Sequence, residues 1–144
     1  MHRFEVHCLW TMFALTLLAV AGCGPSGPVK HKVTGTVLVN DKPASGISVC
    51  LRHTSDSVKG KARMPVAVTD ENGVYVLSSD GDGDGAVEGE YVVTFVWMDS
   101  KNPDIDRFEG KYADTNSSPY RLKVPPPNGQ VEPFKLQHNP MAGK

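Results

Sequence analysis

The residues most able to do chemistry stand in "SSDGDGDGAVEGEY", residues 78–91, where Asp80, Asp82 and Asp84 recur at every second position, each followed by glycine. Carboxylates two apart in a turn can converge on one hard cation, so the first chemistry to consider is calcium binding. Counted from Asp80, positions one, three and five are acidic and position six is Gly85, as in an EF-hand loop. Position twelve, where a bidentate glutamate belongs, is Tyr91, and Glu88 and Glu90 fall at positions nine and eleven. The flanking segments also read as strands, where an EF-hand needs helices. A looser calcium site on Asp80, Asp82 and Asp84 stays open, but Asp and Gly are the ordinary residues of exposed turns, and a solvated loop between strands is the expectation.

The other reactive side chains are dispersed. His31, His53 and His138 share no ligand spacing, which argues against zinc. Cys50 has no neighbouring base and lies on an alternating segment, where a small packed thiol is expected. Trp97 stands in the most apolar run of the chain and reads as core, although a tryptophan can also face a sugar. No set of acid, base and nucleophile is evident, so a non-catalytic role is expected.

The elements that would position these residues are short strands. Apolar residues alternate in "KVTGTVLV", "ISVCLRH", "MPVAVT", "VYVLS", "YVVTFVWM", "PYRLKV" and "QVEPFKL", with turn residues between them. In "ISVCLRH", Ile47, Val49 and Leu51 share one face while Ser48, Cys50 and Arg52 share the other. Asn72-Gly73 is the strongest hairpin signal, because both residues tolerate positive φ. "YVVTFVWM" is apolar on both faces and predicts a central strand. Seven such strands in about a hundred residues predict an all-β fold, an immunoglobulin-like or transthyretin-like β-sandwich with Tyr75, Tyr91, Phe95 and Trp97 filling much of the core. The long excursion at 99–118 reads as a loop, and "QHNPMAGK" should fray.

The beginning of the chain carries a different signal. Arg3 is followed by the uncharged apolar run "CLWTMFALTLLAVAG", residues 8–22, which reads as a secretory signal rather than a membrane span. Val20-Ala21-Gly22-Cys23 resembles the lipobox of bacterial lipoproteins. That resemblance implies a signal peptide over 1–22, cleavage before Cys23, and a diacylglycerol on the Cys23 sulfur with a further acyl chain, such as palmitate, on the new amino group. Two or three chains hold a protein on a membrane durably, whereas one does not. Gly24 replaces the aspartate that the family uses for inner-membrane retention, so the implied address is the cell envelope, with the outer membrane favoured where there is one.

The remaining chain has the size of one domain, read as a flexible tether at 23–31, a sandwich at 32–137 and a disordered tail at 138–144. A net charge of −1 at pH 7 gives no reason to expect nucleic acid. Of three cysteines, Cys8 leaves with the signal and Cys23 takes lipid, so Cys50 has no disulfide partner within the chain.

"VTGTVLVNDKPASGISVCL", "VTDENGVYVL", "GDGAVEGEYVVTF" and "KYADTNSSPYRLKV" together resemble the small bacterial lipoproteins with a carboxypeptidase regulatory-like domain, a transthyretin-like sandwich. The most specific pieces are Thr69-Asp70 with Gly73 and Tyr75, and residues 85–89 with Tyr91. These are turn glycines and core aromatics, so the resemblance speaks for a fold more than an activity. No peptidase domain accompanies it here. The chain also resembles transthyretin-like hydrolases that open 5-hydroxyisourate, but Thr36 stands where their first histidine belongs, and Tyr120-Arg121 is internal where their tail motif is terminal. The sequence therefore points to a lipid-anchored binding, adhesion or structural module whose partner is an envelope protein or a glycan, with calcium-dependent adhesion through Asp80, Asp82 and Asp84 as the alternative.

Overall fold

The computed structural model describes residues 27–139. The segment expected to be a signal peptide, residues 1–22, the expected lipidation position Cys23, and residues 24–26 and 140–144 lie outside them.

The fold is all-β. Ten strands run in the order β1 (Lys30–His31), β2 (Thr34–Val39), β3 (Lys42–Pro43), β4 (Ile47–His53), β5 (Val66–Val68), β6 (Val74–Val76), β7 (Ala86–Val87), β8 (Gly89–Trp97), β9 (Arg121–Val124) and β10 (Phe134–Leu136), with single 3-10 turns at Gly60–Arg63 and Pro127–Gly129. β5, β4, β8 and β9 form one antiparallel sheet in that order. In a second sheet β2 pairs parallel with β10 and antiparallel with β3 and β6. β1 and β7 make a separate two-stranded ladder.

The seven expected strands correspond to β2, β4, β5, β6, β8, β9 and β10. Their alternation explains how the sheets bury one face each. In β4, Ile47, Val49 and Leu51 turn inward, and in β8 Tyr91, Val93 and Phe95 do the same. They meet Val37 and Val39 of β2, Tyr75 of β6, and Phe134 and Leu136 of β10 in one continuous core. β8 lies between β4 and β9, the central position that its two-sided apolarity predicts.

The Asn72-Gly73 turn forms, but it does not close a regular hairpin. Asp70 Oδ1 accepts the amides of Asn72 and Val74, both at 2.9 Å. Gly73 takes φ +71°, and a Cβ there would lie 2.6 Å from the Val37 carbonyl, so the turn is pressed against β2. β5 then belongs to one sheet and β6 to the other, joined at the far end by a single bridge between Val66 and Ser78. Burial of Thr69 at the start of the turn directs this parting. Its hydroxyl accepts the Ile47 amide at 2.9 Å and donates to the Ala44 carbonyl at 2.7 Å, tying the turn to the loop before β4.

Three expectations shift. Trp97 is only half-buried: β8 ends there, and the indole caps the core under Phe108 and His138 instead of filling it, with Nε1 donating to the Ser45 carbonyl. The 99–118 excursion is not merely a loop, since Phe108 and Tyr112 are buried and Phe95 N donates to the Tyr112 carbonyl at 2.9 Å. His138, at the start of the expected tail, is held to the domain: its backbone exchanges two hydrogen bonds with the Asn40 side chain.

Phe95 is fully buried, edge-on to both Tyr120 and Phe134. Phe95→Ala should cost about 3–5 kcal/mol, read by chemical denaturation; an unchanged midpoint would mean that this ring does not join the two sheets.

Candidate functional site

The acidic loop connects β6 to β7, and the backbone bonds itself before any ligand is considered. Gly85 N donates to Leu77 O at 2.9 Å, closing the loop at its base. Gly85 adopts φ +86°, and a Cβ there would lie 1.9 Å from the His31 carbonyl, so only glycine allows β1 to pass this closely. Inside the loop, Ser78 Oγ accepts Gly83 N at 2.9 Å and Ser79 Oγ donates to Gly85 O at 2.6 Å.

Asp84 is the hub. Its Oδ1 accepts Ser79 N at 2.7 Å, and its Oδ2 accepts Gly81 N at 3.0 Å and Asp80 N at 3.2 Å. The same oxygen receives Lys30 Nζ at 2.6 Å, and Asp80 Oδ2 lies 2.5 Å from that ammonium. The Lys30 ammonium, followed by the loop amides, holds the Asp84 carboxyl well below the usual carboxylate range. Reciprocally, Asp80 and then Asp84 raise the pKa of Lys30. The monovalent ammonium thus stands where two of the three predicted carboxylates converge. Asp82 is exposed and joins neither. Among the described residues, no group of three or more His, Cys, Asp or Glu side chains comes together to hold a metal ion.

Lys30 reaches the loop because β1 pairs with β7, Lys30 opposite Val87 and His31 opposite Ala86. The segment read as free tether through His31 is therefore ordered strand from Lys30 onward. Lys30 is the residue that reasoning on spacing misses. It lies 50 residues from Asp80 in sequence, and only the β1–β7 register brings them together.

The remaining candidates stay apart. His53 is buried at the end of β4, where Nδ1 accepts Ser55 N at 2.9 Å, Nε2 faces the Glu88 carbonyl at 3.2 Å, and the ring meets Tyr91 edge-on. With Nδ1 accepting, Nε2 is the donor, and both nitrogens serve the fold. His138 packs on Trp97 and Phe108. Cys50 is half-buried on the outer face of β4, and burial pushes its thiol pKa up, away from the reactive thiolate. The Arg107 guanidinium lies over one face of the Trp97 ring at 3.5 Å and occupies that face for stacking. Compared with known protein families, with curated proteins and with solved structures, the chain matches none.

Asp84→Ala removes the acceptor for three amides and should cost about 1–2 kcal/mol, as loss of a capping carboxylate does. Asp82→Ala should change stability by no more than about 0.5 kcal/mol. Because Asp84 has a depressed pKa in the folded state, its contribution is complete above the unfolded value of about 3.9 and fades as pH falls towards the folded one. The gap between Asp84→Ala and wild type in urea should accordingly be constant from pH 7 to about pH 5 and narrow below about pH 4; a gap that widens in acid would contradict the assignment.

Calcium at about 2 mM should leave the melting temperature within about 1 °C of its value in chelator, since a ligand stabilises only when its concentration exceeds Kd. A calcium-specific rise of several degrees, abolished by Asp82→Ala, would instead assign the loop to the metal.

Proposed function

We propose that the protein is a lipid-anchored module of the cell envelope, an immunoglobulin-like or transthyretin-like β-sandwich of the carboxypeptidase regulatory-like kind. It acts by binding, adhesion or structural support and performs no catalysis. The acyl chains on Cys23 hold it to the membrane, and its partner is an envelope protein or a glycan.

The observation that carries this reading is the Lys30 clamp. Lys30 follows Cys23 by seven residues, a length that spans at most about 25 Å when fully extended. Because β1 and the salt bridges fix Lys30 to the domain, the acidic loop end is kept within that distance of the acylated residue. An anchor followed by so short a connection keeps the whole domain at the membrane surface. The apolar run before Val20-Ala21-Gly22-Cys23 supports export, and the alternating strands with turn loops between them support a scaffold whose loops make the contacts.

Intact-mass analysis of the detergent-extracted protein should give a chain beginning at Cys23 with added acyl mass, and Cys23→Ser should leave uncleaved precursor. A wild-type chain cleaved elsewhere and carrying no acyl group would remove the anchor from this account.

A further inference from the structure

We propose that the groove between β9 and β10 accepts an extended peptide segment of a partner protein, in which carboxylates alternate with apolar side chains. This names the partner class for the binding role above and rests on that role, though not on the anchor.

β9 and β10 are the outer strands of the two four-stranded sheets, and a concavity of about 690 Å³ opens between them, walled by the connection 126–133. The hydrogen-bond phase of β9 follows from its neighbours. Thr54 N donates to Glu90 O, and Val93 N donates to Tyr120 O at 3.1 Å, so on β8 the odd-numbered residues bond towards β9. In an antiparallel ladder the bonded pairs recur at every second residue. Tyr91 with Leu122 and Gly89 with Val124 are therefore the bonded pairs, and the N–H and C=O of Arg121 and Lys123 point away from β8. On the opposite wall Tyr120 Oη donates to the Lys135 carbonyl at 3.0 Å, which shows that this carbonyl of β10 also faces the groove side. Outward backbone groups on an edge strand are a template for one added strand.

The side chains state what that strand should carry. Leu122 and Phe134 are buried beneath the groove, with Val131 half-buried beside them, while Arg121, Lys123 and Lys135 are exposed at its rims. A strand laid antiparallel to β9 would turn alternate side chains towards the Leu122 side and set the intervening ones beside Arg121 and Lys123. The matching segment reads acidic, apolar, acidic. Carboxylates are already near two of the cations: Glu90 is the cross-strand neighbour of Lys123, and Asp41 lies 3.6 Å from Lys135, with Glu132 also lining the groove. Arg121 is different. Its guanidinium is bonded only to the backbone carbonyls of Ser118 and Tyr120, so its charge has no carboxylate partner among the described residues. A second copy of this chain docking β9 on β9 would crowd these same cations together, which like-charge repulsion opposes.

The test uses the full-length protein in detergent and two fluorescent seven-residue peptides, one alternating glutamate with valine and one alternating lysine with valine. Wild type should bind the glutamate peptide with Kd below about 0.1 mM. Arg121→Glu with Lys123→Glu should weaken that binding by about tenfold or more and favour the lysine peptide. Hydrogen exchange on the wild-type complex gives a readout that does not depend on the variant folding: the amides of Arg121 and Lys123 should slow. Equal binding of the two peptides by wild type, unchanged affinity in the double variant, or protection confined to other strands would each overturn the proposal. Intact mass of the same preparation separates the two readings. An acylated protein that ignores the glutamate peptide removes the groove and leaves the anchor, whereas an unacylated protein that binds it does the reverse.

Discussion

The β4–β8 ladder is the constraint on which the rest of the structure depends. Seven consecutive residue pairs, from Ile47 opposite Trp97 to His53 opposite Tyr91, fix which side chains face inward. A slip of one residue would set Val49 and Leu51 on the opposite face from Val93 and Phe95, so that one of the two sets would have to turn out to solvent. β5 and β9 add to the two sides of this pair, and both of its ends are tied down. At one end the buried His53 ring bonds to the loop backbones on either side of it, at Ser55 and Glu88. At the other end Thr69 secures the approach to Ile47, and the Trp97 indole bonds to Ser45. The second sheet then closes on the inward face through Tyr75 and Phe134.

Much of this was legible because it is local. Alternation placed the faces of β4, and the two-sided apolarity of "YVVTFVWM" placed β8 at the centre. What could not be read is what depends on register between distant segments. The turn at Asn72-Gly73 was visible, yet its strands part into two sheets because Thr69 and Gly73 are held by residues from 37 to 47. β1, β3 and β7 are two residues each, too short to carry any period. Phe108 and Tyr112 lie in a polar stretch whose Asx-type turns hide its two buried rings: Asp106 Oδ1 alone accepts the amides of Trp97 and Phe108. The turn residues on which the proposed likeness to carboxypeptidase regulatory-like lipoproteins rests have local physical roles in this chain whatever its kinship: Thr69 and Asp70 bond the turn, and Gly73 and Gly85 allow close passage of β2 and β1.

The same distinction applies to the acidic loop. The spacing of Asp80, Asp82 and Asp84 is a statement about a cation, but it does not say which cation. A lysine 50 residues away satisfies two of the three carboxylates, and Asp84 spends its oxygens on the loop's own amides. A feature that looks like a ligand site in sequence thus serves to lock the entering chain onto the domain. Under the proposed anchor at Cys23, Lys30 would be the point at which the entering chain is fixed to the domain.

A double-mutant cycle between Lys30 and Asp84 tests that central claim directly. Lys30→Met, Asp84→Asn and the double variant would be compared by chemical denaturation at low salt, where a charge pair that is only partly buried is least screened. If Lys30 is the cation of the loop, Lys30→Met should cost measurably less stability in the Asp84→Asn background than in wild type. Equal costs in the two backgrounds would show that the ammonium and the carboxylate act independently and that the loop closes without Lys30.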